Sequence, residues 1–163
     1  MDQPFILNVA GARAFSHSRH ATMIDFEPEG VRWPDTGVNI QVMEPGQPNC
    51  RYHSEAVQED FLVLEGECIV ILDGEERPLK QWDFVHCPAG AAHVFVGAGD
   101  GPCAVLMIGS RRLDMCSYPV NETAARYDAS ASRDTDDPEQ AYADWRVEPE
   151  RPVPAPWPTL TGM

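Results

Sequence analysis

Four residues in two short stretches of this sequence have the chemistry of metal ligands: His53, Glu55 and Glu59 in the first, His93 in the second. Residues two apart on a regular strand face the same side, so His53 and Glu55 can converge on one point. His93 stands just after a Pro88-Ala89-Gly90 turn, where a strand restarts. Imidazole and carboxylate donors together suit Fe, Mn, Ni, Zn or Cu. Two histidines with a carboxylate are the pattern of mononuclear iron sites with open positions. A histidine and glutamates in a loop also fit a solvated surface, so residue types alone leave both readings open. Among their neighbours, one of His86 and Cys87 should face the interior, and Cys87 reads as core. Parity assigns Tyr52 and Phe95 to outer-layer packing. His17 and His20 fall in a polar loop, Ser16 to His20, expected to be solvent-exposed. No nucleophile-elbow, phosphate-loop, dinucleotide or zinc-finger spacing occurs in the sequence.

The elements that must position these residues read as strands. Phe5-Ile6-Leu7, Met23-Ile24-Asp25-Phe26 and Val38-Asn39-Ile40-Gln41-Val42 are strand-length apolar runs broken by Pro28, Gly30, Pro34 and Gly37. From Pro45 to Ser110 the chain is almost all strand and turn. Phe61-Leu62-Val63-Leu64 and Cys68-Ile69-Val70-Ile71-Leu72 flank a turn at Gly66, and Asp73-Gly74 is a hairpin signal. Further strands are expected at Trp82 to Cys87, His93 to Val96 and Cys103 to Ile108. Short strands at regular spacing with Gly/Pro turns point to a β-sandwich or small barrel. Downstream, Asp137-Pro138-Glu139-Gln140 predicts a capped short helix running to Trp145. Arg151 to Pro158 predicts extended, proline-rich chain, with Trp157 anchoring it. Asn121-Glu122-Thr123 fits a glycosylation sequon that carries no meaning in a cytosolic chain.

The segment from Gly46 to Gly97 resembles the cupin superfamily. Gly46, His53, Glu59 and Gly66 fall on the first cupin motif, and Pro88, Gly90 and His93 on the second. Glu55 stands where the first motif has its second histidine. In the second motif Trp82 replaces a glycine and Gly97 an asparagine, and Gly46 is one residue further from His53 than usual. The resemblance implies an all-β fold, a cupin jelly-roll β-barrel over residues 1–110 with its motifs at 46–97. A C-terminal extension, 111–163, would carry the short helix at about 138–145 and the proline-rich tail. It further implies a metal set of His53, Glu55, Glu59 and His93 for a divalent Zn, Fe, Mn or Ni ion. Glu55 would be a fourth ligand or a general base. The alternative is a relic pocket in which His53 and Glu59 hydrogen-bond each other.

Composition bounds the partners. The 163 residues include 26 acids and 12 bases, a net charge of -14, which disfavours nucleic acid and anionic membrane surfaces. No run approaches the roughly 18 apolar residues of a membrane span. Asp2 and the absence of a basic leader predict no signal peptide. The five cysteines, Cys50, Cys68, Cys87, Cys103 and Cys116, form no CxxC pair. Cys68, Cys87 and Cys103 lie in apolar runs, as buried free thiols of a cytoplasmic protein do. Two functions follow as expectations. One is a metal-dependent enzyme of oxygenase, isomerase, decarboxylase or hydrolase type acting on a small molecule. The other is a non-enzymatic module that binds or senses a small molecule such as a sugar over a degenerate metal site. A homodimer is expected, with the tail from Trp145 to Pro158 covering an edge strand or crossing to a partner.

Overall fold

Apolar side chains alternating along short strands need a second apolar face to cover them, and here two antiparallel sheets supply it to each other. The computed structural model describes residues 3–17, 19–112 and 115–145 with the backbone of 151–153. A 3-10 turn at Val9–Gly11 leads into β1 (Arg13–Ser16), β2 (Thr22–Asp25) and β3 (Thr36–Met43). Then come β4 (Ser54–Glu55), β5 (Glu59–Glu65), β6 (Glu67–Leu72), β7 (Glu75–Lys80), β8 (Phe84–Cys87), β9 (His93–Ala98) and β10 (Cys103–Ser110). The C-terminal part adds β11 (Cys116–Ser117), α1 (Glu122–Ala125), α2 (Pro138–Ala141) and β12 (Arg151–Val153). Among the described residues one sheet runs β12-β1-β2-β3-β10-β5-β8, a second β7-β6-β9, and β4 pairs with β11 alone. Phe61, Val63, Val105 and Met107 of the large sheet pack against Cys68, Val70 and Phe95 of the small one. This is the jelly-roll barrel expected from the sequence.

Most strands lie where their apolar runs are, and the exceptions have physical causes. Phe5-Ile6-Leu7 is not a strand: it meets no partner ladder, and Ile6 is fully exposed. Asp73-Gly74-Glu75-Glu76 reads in sequence as a solvated turn, yet Glu75–Lys80 pairs with β6 as the outer strand of the small sheet. Its position at the edge tolerates Pro78 and its charges. β8 begins at Phe84 because Trp82 turns the chain at φ 73, a conformation that explains why a glycine is usual there. Asp73 and Gly74 both have positive φ, 49 and 84, and close the β6–β7 hairpin as expected.

The extension holds more structure than its sequence promises. Asn121, expected only as a sequon, caps α1 by accepting the Ala124 N–H at 2.9 Å. Asp137 caps α2 through the Glu139 N–H at 2.9 Å, with the Gln140 amide 2.7 Å from its other oxygen. The helix itself ends at Ala141 rather than Trp145. Arg151–Val153 pairs with β1, so the tail covers a sheet edge; Trp157 lies outside the described residues.

Arg51, 1% exposed, docks this region on the barrel. Its guanidinium donates to the carbonyls of Asp128 (2.9 Å) and Ser130 (2.7 Å) and to the Asp144 carboxylate (2.5 Å). It also lies 4.1 Å from the centroid of the Trp145 ring. His20 stacks on Trp145 at 5.5 Å and His17 on His20 at 3.9 Å. The loop histidines are thus a half-buried stack rather than an exposed polar loop. Their aromatic faces find a tryptophan that sequence distance conceals.

Candidate metal centre

The site begins with a backbone contact. His53 and His93 form an antiparallel bridge, with reciprocal N–H to carbonyl bonds of 3.1 and 2.7 Å. Directly opposed residues share a face, so the two imidazoles converge, 4.8 Å apart between ring centroids. β5 brings in Glu59, whose Oε2 lies 3.2 Å from His93 Nε2. Ligand atoms of His53, Glu59 and His93 lie within 4.8 Å of one another. Those of His53, Glu55 and Cys116 form an overlapping group within the same limit.

The hydrogen bonds fix which nitrogen each imidazole presents. His53 Nδ1 is 2.8 Å from the Arg51 carbonyl and His93 Nδ1 is 3.1 Å from the Ala91 carbonyl. A carbonyl only accepts, so both Nδ1 atoms carry protons and both Nε2 atoms are left for another partner. Burial drives His53 down to about 4, and the nearby His93 adds to the shift. Burial also disfavours charge on His93, but hydrogen bonds to Cys87 and Glu59 outweigh it and raise it to about 10. Without a metal, the second proton between His93 Nε2 and Glu59 sits where a cation is favoured.

These groups open into a cavity of about 450 Å³. Phe61 stands beside them, 5.1 Å from the His93 ring and 4.6 Å from Phe95. Phe95 is fully buried in this interior core, not in an outer layer. It shares parity with His93, and β9 turns both toward the barrel. Tyr52 does pack elsewhere, with Ile71, Val94 and Val96. Cys87 faces inward at 1% exposure, and His86 faces out to Asp60, 2.7 Å away. Gly97 replaces the motif's asparagine because a Cβ there would lie 2.2 Å from the Glu44 carbonyl oxygen.

The sequence did not mark the opposite wall. Cys116, Tyr118 and Tyr142 of the extension line the cavity with Asn49 and Arg111. Arg111 is held by the Glu27 carboxylate, one contact at 3.1 Å, and by the Trp33 carbonyl at 3.1 Å. No local signal could identify Cys116, because its place depends on β11 pairing with a strand far back in the chain. The Pro-capped helix was the one legible feature near this wall, since Pro138 also lines it.

Comparison with known proteins agrees with the barrel. Residues 39–109 match the Cupin domain family. A cupin-like protein from Thermotoga maritima superposes with a TM-score of 0.57 at 20% identity, covering 80% of this chain and 100% of that one. A sugar phosphate isomerase from a cupin superfamily of Silicibacter pomeroyi gives 0.55 at 23% identity, over 72% and 88%. A candidate sugar phosphate isomerase from Acidithiobacillus ferrooxidans aligns at 30% identity over 54% of this chain, with a TM-score of 0.47. The chain spans only 56% of that protein's length. No curated protein matches the chain in sequence. No helix among the described residues is long and apolar enough to cross a membrane.

Proposed function

The chain belongs to the cupin superfamily, and from that premise we propose that its barrel holds a divalent metal ion and uses it on a small molecule in the cavity. His53, Glu59 and His93 are the core ligands, with Glu55 beside them as a further ligand or general base. The observation that carries this reading is the paired tautomer. Half-buried His53 and buried His93 each give Nδ1–H to a backbone carbonyl, which leaves Nε2 as the ligand atom, and the Glu59 carboxylate lies 3.2 Å from His93 Nε2. Metal-binding histidines are oriented in this way, and a relic pocket would have no need to orient both. The donor set, two neutral nitrogens and a carboxylate, suits Zn, Fe, Mn or Ni.

Such an ion would supply Lewis acidity at its open positions. The protein's own groups do the rest. His93, raised to about 10 by its hydrogen bonds, would have to give up its Nε2 proton to bind an ion, so metal uptake would release a proton. Arg51 and Ala91 hold the rings in place through their carbonyls. Phe61 and the two tyrosines, Tyr118 and Tyr142, narrow the cavity to small-molecule size. Enzymatic use of this site fits an oxygenase, isomerase, decarboxylase or hydrolase.

Elemental analysis of protein purified without chelator or a metal-affinity column tests the reading. The wild type should carry close to one equivalent of metal, and His53→Ala and His93→Ala should lose it. Unchanged metal content in both variants would overturn the assignment.

A further inference from the structure

We propose that His53, Glu55 and Cys116 form a second, sulfur-bearing metal position beside the barrel triad, one that favours a thiophilic divalent ion. It rests on the reading above for His53 and Glu55, and what is new in it is the Cys116 thiol, which takes the place of Glu59 and His93. The argument begins with register. β4 and β11 pair so that Cys116 lies directly opposite Glu55. In an antiparallel pair, opposed side chains lie on the same face with Cβ atoms about 5 Å apart. The two-stranded ladder therefore delivers a carboxylate and a thiol to one point, and His53 is two residues before Glu55 on the same side.

The three ligand atoms lie within 4.8 Å of one another. Donors held tetrahedrally at about 2.0–2.3 Å from zinc lie roughly 3.3–3.8 Å apart. Closure on an ion then needs each pair to draw together by about 1 Å at most, within the reach of side-chain rotation. Glu55 and Cys116 are both half-buried and both line the cavity, so an ion can reach them. Tyr118 is hydrogen-bonded to Cys116 through its hydroxyl, a donor suited to supporting a thiolate. One carboxylate and one thiolate neutralise a divalent ion, and the sulfur biases the position toward zinc-like metals. Because His53 Nδ1 is occupied by the Arg51 carbonyl, a single nitrogen remains. The two positions compete for it, and one ion binds at a time.

Cobalt(II) chloride titrated into metal-stripped His93→Ala protein tests this position, since that change breaks the barrel triad and a thiolate band separates Cys116 ligation from an ion left on His53, Glu55 and Glu59. Circular dichroism confirms folding, and Glu59→Gln serves in its place if His93→Ala does not fold. The expected result is about one equivalent of cobalt with an intense near-ultraviolet thiolate charge-transfer band. Adding Cys116→Ser should abolish the band and weaken binding at least tenfold. Cobalt bound without the band, no cobalt bound, or a band that survives Cys116→Ser overturns the proposal. Cys116→Ser in the otherwise native chain should still bind cobalt through the barrel triad. Loss of binding there while the His93→Ala protein keeps its band would instead sink the barrel assignment.

Discussion

Gly97 shows how a single residue is chosen by space rather than by conformation. A Cβ would meet the Glu44 carbonyl oxygen at 2.2 Å, and that oxygen belongs to backbone that cannot swing aside. Gly97 also bonds through its N–H to Gln47 and through its carbonyl to Gly46, so the two segments are tied at this point. Gly97→Ala should therefore cost about 3 kcal/mol or more, as overpacking does. Urea denaturation checks this, and a loss under about 0.5 kcal/mol would mean that the loop at Glu44 gives way freely. The cupin motif legible in the sequence put an asparagine here. Only the close approach of β9 to the end of β3 explains why this chain cannot carry one.

At the scale of elements, the extension depends on one aromatic anchor. Trp145 is 2% exposed, faces the Arg51 guanidinium, meets Tyr142 edge-on at 5.3 Å and donates its indole N–H to the Asp128 carbonyl at 3.2 Å. Trp145→Ala removes all of these at once and should cost about 3–5 kcal/mol. Hydrogen exchange should show the loss concentrated in residues 128–145, with the β5–β10 ladder still protected. Uniform loss of protection would contradict a separately docked extension. Tyr142 lies both on this anchor and on the cavity wall, so loosening the element should also widen the candidate site.

The whole molecule should feel acid through His20. Burial first, and the charge of His17 second, lower its pKa from 6.5 to about 4. A group depressed in the folded state contributes stability above its unfolded pKa and loses it as pH falls toward the folded one. The window is therefore about pH 6.5 down to about 4, where the unfolded chain binds a proton that the stack refuses. His20→Phe keeps a ring on Trp145 without the titration, so its urea midpoint should fall less between pH 7 and pH 4.5 than that of the wild type. Equal falls in the two proteins would remove His20 from the acid response.

The sequence by itself determined the barrel and half of its candidate site. Strand-length apolar runs, the Asp73-Gly74 turn and the spacing of His53, Glu59 and His93 are local or motif-borne. They survive into the structure because local periodicity and turn chemistry agree with the tertiary pairing. Polar Glu75–Lys80 and apolar Phe5-Ile6-Leu7 went the other way, because a strand exists only where a neighbour offers a ladder. Phe95 shares the parity of His93 on β9, so its place in the barrel follows from spacing and its assignment to the outer layer misapplied that parity. Loop polarity misplaced His20, because the deciding surface, Trp145, is far away in the chain. Cys116 belongs to the same class. Its sulfur reaches Glu55 and His53 only through the β4–β11 register, a pairing between distant segments that no spacing along the chain encodes.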